Sequence, residues 1–257
     1  MKAAPALTAL TLLTAAAPAS MVWAAPSGIE MAVKDSNRPA SDVSRDAGRK
    51  PAELLAFAGI RPGMVVVDML PGLGASGGYF TRLFAKAVGP KGRVYAYFGI
   101  QYDARLKAQG ADPDNQFAAL KRTYPNLGVI HGPLEDFVTP EKVDLVWTSD
   151  NYHDMHNKAY AMDPAKVNKA VFASLKPGGV YIVVDHRAAK GAGAGVTETL
   201  HRMDEDIAKK EIEAAGFRLA AESKILANPS DDNAERVFEQ GEHDHTDQFV
   251  LKFVKPR

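Results

Sequence analysis

The chain has 257 residues, of which 46% are hydrophobic and 24% charged, and its 31 basic side chains balance 31 acidic ones. A net charge of zero gives no pull toward nucleic acid or anionic lipid, both of which need a basic excess. The absence of cysteine excludes disulfides, thiolate nucleophiles, zinc–thiolate sites, iron–sulfur clusters and a lipid-modified N-terminal cysteine.

Lys2 is followed by an apolar run from Ala3 to Ala17, then by Pro18, Ala19 and Ser20. Val22-Trp23-Ala24 places small residues at the −3 and −1 positions of a cleavage site after Ala24; Ala17-Pro18-Ala19 is an earlier option. The run is too short to span a bilayer, and no other stretch approaches the ~18 apolar residues a span requires. A signal peptide over 1–24 is therefore expected, with release to the periplasm or the exterior and no stable membrane insertion after processing. Residues 25–50 are polar and read as an irregular N-terminal arm. Residues 51–257 read as one domain.

Pro51 to Ala58 predicts a helix with Pro in its first turn, stopped at Gly59. Met64-Val-Val-Val-Asp68 is a β-branched run typical of a strand buried on both faces. A glycine-rich turn follows, then a helix from Tyr79 to Val88 and a strand from Arg93 to Tyr97. Together these make a βαβ unit. The alternation continues with a helix over Asn115–Tyr124, strands over Leu127–His131 and Val143–Trp147, and a helix over Pro164–Leu175. A strand over Val180–Val184 and a helix over Thr199–Ala215 come next. Two strands, Phe217–Leu226 and Gln248–Val254, end the chain with no helix between them. The expected fold is α/β: a Rossmann-like three-layer sandwich on a mostly parallel seven-stranded sheet, closed by an antiparallel C-terminal edge hairpin.

In such a sheet, ligands bind beyond the carboxyl ends of the strands. After the first strand stands Asp68-Met-Leu-Pro71-Gly72-Leu-Gly74-Ala-Ser-Gly77-Gly78. Glycines let the backbone approach a ligand, and the following helix start offers free N–H groups. The spacing departs from Gly-x-Gly-x-x-Gly and suits a nucleoside lacking a pyrophosphate.

Val65-Val-Val-Asp68-Met-Leu-Pro-Gly72-Leu-Gly74, Val143-Asp-Leu-Val-Trp147 and Leu175-Lys-Pro-Gly-Gly-Val180 resemble the corresponding motifs of class I S-adenosylmethionine (SAM)-dependent methyltransferases. The terminal strand pair is similar too, so the resemblance covers nearly all of residues 50–257. Asn151-Tyr-His-Asp-Met-His156, Asp185-His186-Arg-Ala, Thr199-Leu-His-Arg202 and Asn228-Pro-Ser-Asp-Asp232 resemble a bacterial group of "predicted methyltransferases", many of them exported. The resemblance implies SAM as cofactor, with Pro71, Gly72 and Gly74 against its methionine part and Asp68 orienting the turn or accepting from the amino group. It also implies Glu135 and Asp136 at the adenine. The superfamily ends its second strand with an acidic residue that takes the ribose hydroxyls. Here that strand runs into Phe98-Gly-Ile-Gln101, and the candidate substitutes are Gln101 and Asp103.

Asn151, Tyr152 and His153 follow the fourth strand, and Asp185 and His186 follow the fifth, so both groups are expected at the reacting end of one cleft. His153 is the leading candidate proton acceptor, since histidine titrates near neutral pH. The expected reaction is methyl transfer to an unidentified small-molecule or protein acceptor. Export separates the chain from the cytoplasm, where SAM is made. Two alternatives therefore stand: a non-catalytic periplasmic ligand-binding protein, or a metal-dependent enzyme using His153, Asp154, His156, Asp185, His186 and His201 as nitrogen and oxygen ligands.

Overall fold

The computed structural model describes residues 27–73, 77–239 and 243–257. The expected signal peptide and Gly74 lie outside the described residues. The strands are β1 Val65–Met69, β2 Arg93–Gly99, β3 Leu127–Gly132, β4 Val143–Ser149, β5 Leu175–His186, β6 Arg218–Ser223 and β7 Gln248–Val254. They form one sheet in the order β3-β2-β1-β4-β5-β7-β6. The pairings from β3 through β5 are parallel, whereas β7 runs antiparallel to both β5 and β6. The last two strands pair as expected. β7 lies inside the sheet beside β5, and β6 takes the edge.

The helices are α1 Gly28–Val33, α2 Ala40–Val43, α3 Asp46–Arg49, α4 Pro51–Ala58, α5 Tyr79–Val88, α6 Asp103–Ala108, α7 Pro113–Thr123, α8 Pro164–Ser174, α9 Thr197–Leu200 and α10 Glu205–Ala214. Successive strand residues point to opposite faces, and both faces are covered. Val66, Trp147, Ile182 and Val184 pack with α1, α4, α5 and α7, while Val67, Val146, Tyr181 and Val183 pack with α8 and α10. Every residue of β1 is buried, which explains its unbroken apolar run. Trp147 sits against Phe80 and Phe84, with ring centroids 4.6 and 5.4 Å away.

Two expectations need correction. The helix expected over Thr199–Ala215 is split into α9 and α10. His201 takes a left-handed φ of 54°, and the Arg202 guanidinium is consumed by a buried bidentate pair with Asp231 at 2.9 and 3.0 Å. The arm expected over 25–50 is, from Ser27 on, not irregular. It forms α1 to α3, held by charge pairs that a local sequence reading cannot match. Asp42 receives both arms of the Arg82 guanidinium on α5, at 2.7 and 2.9 Å, and neither side chain is exposed by more than 8%. Asp35 accepts from the Tyr124 hydroxyl at 2.9 Å, and Asp46 accepts from the Tyr79 hydroxyl at 2.6 Å.

Removing one partner of a buried ion pair strands the other charge, whereas an exposed pair contributes little. Asp42→Asn should therefore cost about 3–5 kcal/mol of stability, and Glu30→Ala, which breaks the exposed pair with Lys34, less than about 0.5 kcal/mol. Urea denaturation of the two variants checks this; equal effects would contradict the arm's anchoring role.

Candidate active site

The carboxyl ends of β1, β4 and β5 open onto a cleft of about 510 Å³, a size suited to a small organic ligand. It lies where strand order reverses, with β2 on one side of β1 and β4 on the other, the place such sheets offer to ligands. Pro71, Gly72 and Leu73 line one side. Gly72 has a left-handed φ of 74°, and a Cβ built there would meet nothing nearer than the Gly77 Cα at 3.8 Å. The backbone is therefore open to an incoming molecule. Gly77 is required for the opposite reason: a Cβ there would come within 2.6 Å of the Gln116 Nε2 and the Leu73 Cα.

Asp68 also lines the cleft and is almost wholly buried. Thr81 Oγ1 donates to its Oδ2 at 2.5 Å. Burial pushes its pKa up to about 7, against the opposing hydrogen bond from Thr81 and the charge of Arg49. The arm supplies a further wall. Arg49 donates to Asp150 at 2.7 Å and to Asp244 at 2.6 Å, and Arg45 donates to Asp244 at 2.6 and 2.8 Å. Both guanidinium groups lie over the Tyr79 ring.

His153 dominates the far wall. The Asp185 carboxylate accepts its backbone N–H at 2.7 Å and pairs with Nδ1 at 2.8 Å. Burial disfavours the imidazolium, but Asp185, Asp154 and Asp150 outweigh it and raise the pKa to about 9. These carboxylates favour the charged ring over the neutral one that a proton acceptor must be. His186 pairs with Thr246 Oγ1 at 2.6 Å, and burial holds its pKa below the ordinary value. His201 is pushed down to about 4 by burial and by the neighbouring positive charges of His153 and Arg236. Asn151 ties two turns together, donating to the Leu70 carbonyl at 3.1 Å and the Ser149 carbonyl at 2.8 Å. Leu70, Asp150 and His201 all line the cleft with left-handed φ values of 57°, 61° and 54°. Backbone strain in non-glycine residues concentrates at functional sites.

Asp68, Pro71, Gly72, Asn151, His153 and His186 thus share one cleft. Other expected residues do not reach it. Tyr152 is fully buried away from the cleft; its hydroxyl accepts from Asn168 at 2.8 Å and donates to Glu211 at 3.1 Å. Asp185 stands behind His153 as its partner. Glu135 accepts from the Asp163 N–H at 2.9 Å just ahead of α8, and neither it nor Asp136 borders the cleft. The Gln101 amide oxygen accepts from the Leu134 N–H at 3.3 Å and does not replace the ribose carboxylate. Phe98, Tyr102 and Arg105 line that end instead. Sequence reasoning missed Arg45, Arg49 and Arg105, because nothing local distinguishes them from solvated charges. Among the described residues, His153, Asp154 and His201 bring one potential metal-ligand atom each within 4.8 Å of the others.

No protein-family model and no curated protein matches the chain. Solved structures do. A SAM-dependent methyltransferase from Aquifex aeolicus aligns over 86% of this chain and 96% of its own, at 19% identity and a TM-score of 0.56. The 1,6-didemethyltoxoflavin-N1-methyltransferase of Burkholderia thailandensis, solved with S-adenosylhomocysteine, aligns over 84% and 81%, at 19% identity and a TM-score of 0.51. The [4+2]-cyclase SpnF aligns over 84% and 81%, at 15% identity and a TM-score of 0.53. The chain therefore has the seven-stranded Rossmann-like fold found in class I SAM-dependent methyltransferases, and that fold also carries a cyclase.

The Asp68 carboxyl gives a test of the site's electrostatics. Its folded pKa of about 7 lies above the ordinary 3.8, so between those values the folded chain holds a proton that the unfolded chain has released. Stability from this group is greatest below the unfolded value and falls as pH rises toward 7. Asp68→Asn removes the dependence, so the variant should gain on the parent by a few kcal/mol between pH 4 and 8. Thermal melts across that range check this; a stability difference independent of pH would show that Asp68 ionises normally.

Proposed function

We propose that the chain is an exported SAM-dependent methyltransferase acting on a small-molecule or protein acceptor. The observation that carries this reading is the pairing of an open glycine turn and a buried carboxylate, Gly72 and Asp68, with a wall of polar side chains across one cleft at the strand-order reversal. The residues fit a nucleoside amino acid. Gly72 leaves room for a close approach to the backbone, Asp68 offers a carboxylate for an ammonium group, and Phe98 and Tyr102 supply aromatic surface at the other end. When bound, SAM supplies an electrophilic methyl group on a sulfonium that is already a good leaving group. The chain's own contribution is then largely to hold the acceptor in line. Asn151 rigidifies the turns on either side, and His153 and His186 present fixed imidazoles to the acceptor.

The weak point of the cradle is the ribose end, where Gln101 is committed to the backbone. This favours a loose hold on the cofactor and, beside export, supports the non-catalytic binding reading. Calorimetric titration with SAM and S-adenosylhomocysteine tests the hold on the cofactor. We expect one site per chain for each ligand. Gly72→Val should weaken both by more than about 100-fold, at a stability cost of about 1–2 kcal/mol for a side chain at left-handed φ. No heat with either ligand at millimolar concentration would overturn the methyltransferase reading.

Export is part of the proposal. No helix among the described residues is long and apolar enough to cross a membrane, and the site after Ala24 accounts for the N-terminal sequence. N-terminal sequencing of the periplasmic fraction should begin at Ala25. Full-length chain confined to the cytoplasm would contradict export.

A further inference from the structure

We infer that His153, Asp154 and His201 form a binding site for a divalent transition-metal ion at the far wall of the cleft. Three potential ligand atoms, one from each side chain, lie within 4.8 Å of one another, and all three residues line the cleft. His153 Nε2 and Asp154 Oδ1 are 3.5 Å apart. That is close to the roughly 3.4 Å separating two ligands that each stand about 2.1 Å from a tetrahedral ion. The separations to His201, up to 4.8 Å, close with side-chain movement of about an ångström.

Three further features point the same way. First, His153 already has the outer partner that metal-bound histidines use. Nδ1 is held at 2.8 Å by the fully buried Asp185 carboxylate, which fixes the ring and turns Nε2 toward Asp154, where an ion would take the place of the Nε2 proton. Second, His201 is presented by a strained backbone, and the next residue is locked in place. Arg202 is fully buried, paired with Asp231 and bonded to the Glu235 and Arg187 carbonyls. The chain thus holds a left-handed histidine against the cleft, its ring 5.5 Å from that of His153 at 87°. Third, the Tyr102 hydroxyl and the Asp154 carboxylate meet at 3.5 Å, so the third ligand has an orienting contact as well. Two cations compete: the Arg236 Nη2 is 3.5 Å from His201 Nε2, on an exposed side chain that lies over the Phe238 ring, and the Arg105 charge acts on both Asp154 and His201.

Two imidazoles and one carboxylate suit zinc, iron or manganese. Three protein ligands leave a coordination position open, as catalytic rather than structural sites do. That position faces the cleft and would take an oxygen or nitrogen donor from a second bound molecule. Among the described residues, neither His156 nor His186 joins the group whose ligand atoms all lie within 4.8 Å of one another. The triad and the glycine turn line one cleft, but the ion needs no methyl donor in order to bind.

The test is calorimetric titration of the chelator-stripped mature chain with Zn²⁺, with Co²⁺ absorption in the visible as a second readout. We expect one ion per chain and a tetrahedral or five-coordinate cobalt spectrum. His201→Asn keeps a residue type that tolerates left-handed φ, so it should fold. It and Asp154→Asn should each weaken binding by about 100-fold, and the double variant should fall short of the product of the two. Asp185→Asn should weaken it about 10–100-fold through the ring it orients, while His131→Asn, at an exposed site outside the cleft, should change nothing. Gly72→Val should retain full zinc affinity while losing S-adenosylhomocysteine, which separates this claim from the cofactor reading. Absence of zinc binding at millimolar concentration, or parental affinity in His201→Asn, would overturn the site.

Discussion

The Asp185 carboxylate, fully buried at the end of β5, accepts three N–H groups: the backbone and Nδ1 of His153 and the backbone of His186. A buried carboxylate is costly unless it is paired and hydrogen-bonded, and here its geometry leaves little latitude. Burial would raise its pKa, but the His153 imidazolium holds it below the ordinary value. The segment after β4 is thus tied to the end of β5 by a charge-assisted clamp. That clamp sets where His153, Asp154 and Asn151 stand relative to the glycine turn. The elevated pKa of His153 follows from the same arrangement, while those of His186 and His201 are depressed chiefly by burial, to which the His153 charge adds.

A second charge system shapes the opposite side. Asp244, from the loop before β7, joins Arg45 and Arg49 of the arm, and Arg49 continues to Asp150 beside β4. Elements far apart in sequence meet over the Tyr79 ring, which itself donates to Asp46. Each of these side chains is partly or largely shielded from water, so their attraction is screened less than that of surface pairs. The arm is therefore a structural wall of the cleft and not a tether. Its basic residues are neutralised locally, consistent with a chain of zero net charge that still concentrates arginines at one site.

The sheet was legible because its strands announce themselves. Val65–Val67 can only sit between two covered faces, and the glycine-rich turn after Asp68 needs a helix beyond it. Gln248–Val254 was delimited to the residue. The arm was not legible, since Asp42 and Arg82 are too distant in sequence for any local pattern to pair them. The break at His201 was hidden for the same reason, because Thr199–Ala215 reads as helical until Asp231 draws Arg202 inward. Position after a strand places Gly72, Asn151, His153 and His186 on one cleft. It failed for Tyr152, whose side chain falls on the opposite side of its turn, and for Asp185, which faces its histidine and not the cleft. Alternation along the backbone decides such cases, and no spacing rule outside a regular strand fixes it.

The central claim is that one cleft receives a nucleoside amino acid over Gly72 and presents its sulfur to the wall built on His153. A crystal structure of the chain grown with S-adenosylhomocysteine addresses this most directly. The account predicts the amino-acid end between Asp68 and the Gly72 backbone, with the sulfur directed toward His153, Asp154 and His201. Ligand density elsewhere on the molecule, or a cleft left empty at saturating ligand with Arg49 still joined to Asp150 and Asp244, would contradict it.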